Sequence, residues 1–232
     1  LFYMDNFLDM PKSQHQKNEE KFSYKRKNCY EVWPDKKIKE AFKFAEDYRQ
    51  FLSKAKTERK AVAEVIPVLR SAGYRSYEEV NRLPAARQKS AGVYFTLEDK
   101  NAVAYAPGSA PLAGGLNMIL AHIDSPRIDL KPHPLYEKNG LALFNTHYYG
   151  GIKKYQWVTI PLALHGLVVL GSGKKVTIEI GENPGDPVFS ITDILPHVNK
   201  FQTERKANDV IAGEELNVIL GSRPVVDKEV KE

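Results

Sequence analysis

The sequence predicts an α/β fold in which helices precede a buried strand and a strand-rich segment follows. Two observations carry this prediction. Apolar side chains recur at three- and four-residue steps in residues 35–53 and in the stretch that begins at Thr57, as they do in amphipathic helices. The run LNMILA at residues 116–121 is mostly apolar, which is typical of a strand that is buried on both faces.

Capping residues define the ends of the predicted helices. Asp35 is available as the N-cap of the first helix, and Gly73 stands where a left-handed residue would end the second. Ser76 and Glu79 have the spacing of a capping box, which predicts one more short helix before Pro84. The first part of the chain is therefore expected to be helical.

Strand patterns begin at Gly92. Val93–Leu97 and residues 102–106 flank a polar turn, as in a hairpin. Beyond Pro126, proline and glycine separate further strand patterns and a short helix that would begin at Thr192, which indicates a separate β-rich module with its boundary near residues 126–134. The strands predicted in this module are residues 141–144, 157–170 and Lys175–Ile180.

Composition limits the classes of function. With 232 residues, 42% of them hydrophobic, the chain can bury a sizeable core. Its single cysteine, Cys29, excludes a disulfide within one chain and a cysteine-based zinc site, and it favours a cytoplasmic location. The first ten residues are too short and too acidic for a signal peptide, and no apolar run approaches the ~18 residues that span a bilayer. We therefore expect no membrane partner.

The formal net charge of +5 raises the question of nucleic-acid binding. The early basic residues are concentrated at residues 11–28, and later lysines alternate with acidic residues. No helix-turn-helix, zinc-finger or RNA-recognition pattern accompanies the basic stretch. We interpret residues 1–32 as a polar basic arm and expect no nucleic-acid partner.

The candidate site is the motif AHIDSP, directly after the predicted buried strand. Its histidine, His122, stands at the carboxyl end of that strand, where open α/β sheets place their ligand sites. Residues two apart on an extended chain point the same way, so Asp124 can accept a hydrogen bond from one imidazole nitrogen and leave the other free for a metal. A purely structural His–Asp pair would give the same pattern, and these two residues alone favour that interpretation.

The wider context reverses this preference. The run LNMILAHIDSPRIDLKPHP resembles the segment around the first metal-binding histidine of M18 aminopeptidases, and Arg127, Asp129, Lys131 and Pro132 match its second part in order. The blocks THYYGGIKKYQWVTIPLALHGLVV, DPVFSITDILPHV and EELNVILGSRP also resemble successive parts of M18 chains. The resemblance covers residues 33–224, in the style of the bacterial branch of aspartyl-aminopeptidase-like proteins.

The resemblance implies a domain plan. Residues 33–130 would form the front part of a mixed-sheet zinc-exopeptidase domain, and residues 131–226 an inserted β-rich dimerisation domain that makes a homo-oligomer. Residues 227–232 would return to the catalytic domain. The second half of the family's chains has no counterpart in this sequence, so we expect a fragment, one half of a split enzyme or a truncated product.

The resemblance also implies an activity. His122 would bind one of two zinc ions and Asp124 would orient it, in an aminopeptidase that removes acidic N-terminal residues from peptides. The other ligands and the general base would lie in the second half, so the chain by itself is expected to bind zinc weakly and to be inactive. The alternative is a truncated, non-catalytic M18-like protein that serves in assembly.

Many M18 chains have a histidine that reaches the active site of a neighbouring subunit. The matching position here is Tyr155, which could contact that site but is more simply interpreted as an interface aromatic. Among the other histidines, His165 and His197 are expected to be structural and His15 solvated. The spacing of His133, His147 and His165 gives no support for a second metal site.

Overall fold

The computed structural model describes residues 12–24, 26–88 and 91–223, and the chain divides into two compact units at Ser53. The first unit is helical in its described part. Ser13 caps the first helix by accepting a hydrogen bond from the backbone N–H of Gln16. The helix predicted at residues 35–53 is confirmed, but Asp35 lies inside its first turn and Pro34 occupies the position predicted for the cap, because the first helical N–H groups bond to the Pro34 carbonyl. These helices are α1 (Gln14–Phe22), α2 (Cys29–Val32) and α3 (Asp35–Lys54).

The second unit begins with the predicted helices. The helix α4 (Glu58–Ser71) is capped by the Thr57 side chain, and Gly73 beyond its end has a φ of 87°, as a left-handed residue requires. The short strand β1 (Arg75–Ser76) leads into α5 (Tyr77–Asn81), where Ser76 and Glu79 form the predicted capping box. A one-turn helix, α6 (Ala85–Gln88), follows. None of the helices in the described ranges is long and apolar enough to cross a membrane.

A small mixed sheet follows the helices. The strand β2 (Val93–Leu97) pairs in parallel with β1 and antiparallel with β3 (Asn101–Tyr105). Glu98 and Asp99 in the connecting turn have φ values of 52° and 54°. Positive φ at both central positions gives the turn a twist that matches that of the strands, so the predicted hairpin is confirmed.

The strand predicted at residues 116–121 does not form. Residues 115–126 contain no helix or strand, and Ile119 and Leu120 are 96% and 84% exposed. The apolar pattern predicts a buried strand, but a strand also needs a neighbour that pairs with its backbone, and no described residue pairs with this run. His122 therefore lies on an irregular segment, and its predicted place inside a sheet is wrong.

A long hairpin begins directly after the motif. The strand β4 (Arg127–Lys138) pairs antiparallel with β5 (Leu141–Tyr149) around a turn in which Asn139 and Gly140 have positive φ. The prolines 132 and 134 lie where the register shifts between Leu130 and Leu135, so their missing N–H groups interrupt no regular pairing. The sequence pattern predicts a module boundary near residues 126–134 and no strand there, whereas the structure has β4. The predicted domain limits remain a prediction.

A second hairpin is shorter than predicted on one side. The strand β6 (Leu164–Val169) pairs with β7 (Lys175–Ile180), whereas residues 157–163 form no regular strand. Thr159 has a φ of 61° and Pro161 lacks an N–H, so the chain cannot continue a ladder through them. The limits predicted for β7 are confirmed.

The helix predicted to begin at Thr192 is wrong. Residues 192–195 are irregular, and only a 3₁₀ turn at Pro196–Val198 and the short helix α7 (Lys200–Thr203) follow. Pro196 disfavours the helical conformation of the preceding residue, and the Asp193 carboxylate accepts hydrogen bonds from the Ile194 N–H and the Gln202 amide instead.

The apolar core of the second unit is formed by residues between Val158 and Val218. A last strand, β8 (Val218–Gly221), pairs with β5 and completes a three-stranded sheet with β4. Leu216, just before β8, is fully buried, and its carbonyl accepts a hydrogen bond from the buried Thr146 hydroxyl. The buried apolar cluster consists of Val158, Phe189, Ile191, Ile211, Leu216 and Val218.

Ion pairs join the segment around α4 to the second hairpin. The Glu182 carboxylate lies 2.5 Å from the Lys56 ammonium and 2.7 Å from Nε2 of His165, and Lys60 lies 2.8 Å from Glu179. The hydrogen bond from Lys56 holds the pKa of Glu182 below its usual value; burial opposes the shift, and His165 adds to it. The Nδ1 atom of His165 is buried and has no hydrogen-bond partner among the described residues, so this histidine, which the sequence predicts to be structural, is hydrogen-bonded through Nε2 only.

The lowered pKa of Glu182 predicts how stability depends on pH. The folded state favours the ionised carboxylate, so this contribution is present above the ordinary glutamate pKa of 4.5 and is lost as the pH falls through the lower folded value. In Glu182→Gln, we expect a lower melting temperature than wild type at neutral pH and a difference that shrinks as the pH falls below 4.5. Melting curves by circular dichroism test this. The exposed Glu137→Gln is the control, and a deficit of Glu182→Gln that persists unchanged at low pH would contradict it.

Candidate metal centre

His122 and Asp124 face each other, as the sequence predicts. The Nδ1 atom of His122 lies 3.2 Å from Oδ1 of Asp124 and 3.3 Å from the Asp124 backbone oxygen. Both atoms are hydrogen-bond acceptors when the carboxyl group is ionised, so the neutral imidazole is assigned its proton on Nδ1. Its Nε2 atom then carries the lone pair and has no hydrogen-bond partner among the described residues.

Tyr149 holds the other side of the same carboxylate. Its hydroxyl donates a hydrogen bond of 3.0 Å to Oδ2 of Asp124. This bond is the largest cause of a lowered Asp124 pKa; a backbone N–H and His122 lower it further, while burial opposes the shift. The same bond raises the pKa of the Tyr149 hydroxyl, because the tyrosine must keep its proton to donate it.

The Arg127 guanidinium packs against the ring of Tyr149. The two residues are directly opposite each other in the β4–β5 ladder, and the guanidinium carbon lies 4.0 Å from the centroid of the tyrosine ring. Arg127 is in turn bound at 2.7 Å by Asp129 and at 2.9 Å by Glu58, at the start of α4. Burial opposes the charge of Arg127, but these two carboxylates outweigh it and raise its pKa. The motif is thereby connected to a helix and a hairpin.

The other predicted positions lie apart from this group. Tyr155 is on a 3₁₀ turn (Lys154–Gln156), exposed and without a hydrogen bond to any described residue, so its contact with a neighbouring subunit remains a prediction. The His147 ring stacks on Tyr148, and His15, His133 and His197 are exposed. No group of three or more metal-binding side chains is assembled within residues 12–24, 26–88 and 91–223.

Sequence reasoning missed Tyr149 and Glu58. A signal for the tyrosine was present, because the Asn139-Gly140 pair is a strong hairpin turn signal and implies that β5 returns alongside the motif. The register shift at the prolines hides which residues become opposite, so the pairing of Arg127 with Tyr149 could not be counted from the turn. Glu58 is 69 residues from Arg127 along the chain, and no local pattern connects them.

The donor set of the motif fits one ligand position of a zinc ion. Neutral imidazole nitrogen is a common zinc ligand, and a carboxylate on the other ring nitrogen is the usual orienting partner. The His122 side chain is 87% exposed, so its Nε2 is accessible. Zinc sites take at least three protein ligands, and His122 supplies one.

The architecture is that of solved M18 aminopeptidases. The structure matches the crystal structure of the M18 aminopeptidase from Thermotoga maritima with a TM-score of 0.79 and 40% identity, over 89% of this chain and 44% of that one. It matches aminopeptidase I from Clostridium acetobutylicum with a TM-score of 0.74 and 41% identity, over 90% of this chain and 46% of that one. This chain therefore has a mixed α/β fold with small sheets that is similar to the structures of M18 aminopeptidases.

The family follows from the sequence comparison. Residues 51–231 match the family model described as "Aminopeptidase I zinc metalloprotease (M18)". The chain is 44% identical over 206 residues to "Probable M18 family aminopeptidase 1" of Clostridium acetobutylicum, which covers 89% of this chain and 44% of the relative. The chain belongs to the M18 family, and the resemblance inferred from its motifs is confirmed. It spans less than half the length of the relatives that it matches.

Proposed function

We propose that this chain is part of a zinc-dependent aminopeptidase in which His122 binds a metal ion and Asp124 orients it. The observation that carries the proposal is the geometry of the motif. The imidazole is fixed at Nδ1 by a carboxylate and presents a free, exposed Nε2, within the segment that matches a family of zinc metalloproteases.

The two residues have different roles in this proposal. Asp124 keeps the proton on Nδ1, so that the lone pair of His122 stays on Nε2, and its negative charge increases the basicity of the ring. When bound, the metal would polarise the peptide carbonyl and lower the pKa of a water molecule. We propose two divalent ions for the complete site and a preference for acidic N-terminal residues in peptide substrates.

The remaining ligands are proposed to come from polypeptide outside this sequence. The relatives are more than twice as long as the part that this chain matches, and one histidine cannot neutralise or hold two dications. The exposed apolar run at residues 116–120, next to His122, supports the same proposal, because contiguous exposed apolar surface commonly marks an interaction site. We also propose that the β-rich residues 131–226 form a homo-oligomeric interface and that the protein is cytoplasmic.

A chimera tests this function. In the chimera, the matched residues of this chain replace the matched 44% of the Clostridium acetobutylicum relative. We expect the chimera to bind zinc and to release p-nitroaniline from aspartyl and glutamyl p-nitroanilides faster than from the leucyl compound. The 232-residue chain alone is expected to bind zinc weakly and to hydrolyse none of them.

The relative itself, unmodified, is the control for the assay. A chimera that is folded and oligomeric but inactive, beside an active relative, would contradict the peptidase proposal and favour the non-catalytic assembly protein. Equal rates on the three substrates would contradict only the acidic preference. Zinc binding of the 232-residue chain as tight as that of the chimera would contradict the proposed origin of the other ligands.

A further inference from the structure

The carboxylate of Asp124 is shared between two side chains. One oxygen faces Nδ1 of His122 at 3.2 Å, and the other accepts the hydrogen bond of the Tyr149 hydroxyl at 3.0 Å. Each oxygen therefore has its own donor, and the plane of the carboxylate is defined by both. Rotation of the Asp124 side chain toward solvent would break both bonds at once.

The motif itself has no regular structure to hold it. His122 and Asp124 lie on the irregular segment 115–126, where no backbone ladder restrains the side chains. Among the described residues, Tyr149 is the only side chain of a helix or strand that is hydrogen-bonded to Asp124. The orientation of the Asp124 carboxylate is therefore determined largely by this one tertiary contact. The His122 imidazole is oriented in turn by the carboxylate.

Tyr149 is well placed to provide that contact. It is the last residue of β5, and Arg127 packs against its ring from the opposite strand at 4.0 Å. The Arg127 side chain is only 29% exposed and forms ion pairs with Glu58 and Asp129. The tyrosine ring therefore packs against a cation whose position is fixed by two carboxylates. Gly150, next along the chain, has a φ of 80°, and a Cβ atom at this position would be 3.6 Å from the Cα atom of Pro126, an ordinary van der Waals distance. The two chain segments are therefore in contact beside the motif.

We propose that Tyr149 is a positioning residue that fixes the Asp124 carboxylate and, through it, the tautomer and direction of the His122 imidazole. Its significance for zinc rests on the proposed aminopeptidase function. Its effect on the imidazole does not, because it follows from contacts between side chains of this chain alone. The two proposals can therefore fail separately.

The test is Tyr149→Phe, which keeps the ring on Arg127 and removes only the hydroxyl. Tyr148→Phe is a matched control, because Tyr148 is the adjacent residue, is equally exposed, at 38% against 37%, and has no hydrogen bond from its hydroxyl among the described residues. Nitrogen-15 chemical shifts of the histidine rings, recorded at about pH 8 where an ordinary imidazole is neutral, report the tautomer. The His122 signals are assigned by their loss in His122→Asn.

We expect His122 to be mainly the Nδ1–H tautomer in wild type and in Tyr148→Phe, and to shift toward the Nε2–H form in Tyr149→Phe. In an Asp124→Asn background, Tyr149→Phe is expected to have no further effect, because the tyrosine acts through the carboxylate. In the chimera, zinc affinity measured by competition with a chromogenic chelator is expected to fall about tenfold in Tyr149→Phe, at the lower end of the range for residues that orient a ligand.

An unchanged His122 tautomer in Tyr149→Phe would overturn the proposal. The same shift in Tyr148→Phe, or an undiminished effect of Tyr149→Phe in the Asp124→Asn background, would also overturn it, because the hydroxyl would then act by a general change in structure. A tautomer shift with no zinc binding by the wild-type chimera would support the positioning role and contradict the aminopeptidase proposal.

Discussion

Replacing His122 by Ala in the chimera is expected to abolish nearly all hydrolysis and to weaken zinc binding by more than the about 10–100-fold typical of an orienting residue. The reason is that Nε2 of His122 is proposed as a direct ligand, and alanine leaves its coordination position empty. Asp124→Asn keeps the imidazole and should stay within that range of about 10–100-fold. Metal content after dialysis and turnover of the aspartyl substrate measure the two effects.

His133→Asn is the matched control for this experiment. It removes another exposed imidazole, and asparagine tolerates the φ of 54° that His133 adopts in the β4 register shift. Zinc affinity and turnover are expected to stay at the wild-type level. Full activity of the His122→Ala chimera would show that the central motif has been misinterpreted, and equal losses in His133→Asn would show that the assay reports folding.

Truncating Leu216 to Ala is expected to reduce the free energy of unfolding by about 2–5 kcal/mol. Leu216 is fully buried in the cluster with Ile191 and Val218, so the deletion removes apolar contacts and leaves a cavity that the packed neighbours cannot fill. Urea unfolding monitored by the fluorescence of Trp157, which packs against this cluster, measures the change. Replacing Trp33 by Phe throughout removes the only other tryptophan.

Leu195→Ala is the control for the core. Leu195 is 69% exposed, so the same chemical change should alter stability by no more than about 0.5 kcal/mol. Similar losses in Leu195→Ala and Leu216→Ala would contradict the assignment of the core. The comparison requires an unchanged slope of free energy against urea, since a changed slope indicates a different unfolding transition.

The candidate site was predictable in its local part. The His-x-Asp spacing predicts that the Asp124 carboxylate faces Nδ1 of His122, and the structure has the two atoms 3.2 Å apart although the segment forms no strand. The wider part was not predictable. Tyr149 is 25 residues from Asp124 in sequence, and the contact exists only because β5 returns along β4 with the shifted register.

The sequence by itself determined the features that depend on neighbours along the chain. The caps of α4 and α5, the left-handed Gly73, the β2–β3 turn and the limits of β7 each follow from a few adjacent residues. Their energetics are local, since a capping hydroxyl or a glycine acts on backbone groups within one turn.

Only the tertiary structure decided the rest. It made the prolines 132 and 134 part of a register shift inside β4, and it left residues 116–121 without a strand partner among the described residues. A strand forms only when a second segment accepts its hydrogen bonds, and a buried side chain such as Leu216 is buried only by residues distant in sequence. These outcomes depend on pairing between segments that are distant in sequence. The local pattern of apolar and polar residues does not specify which residues become paired.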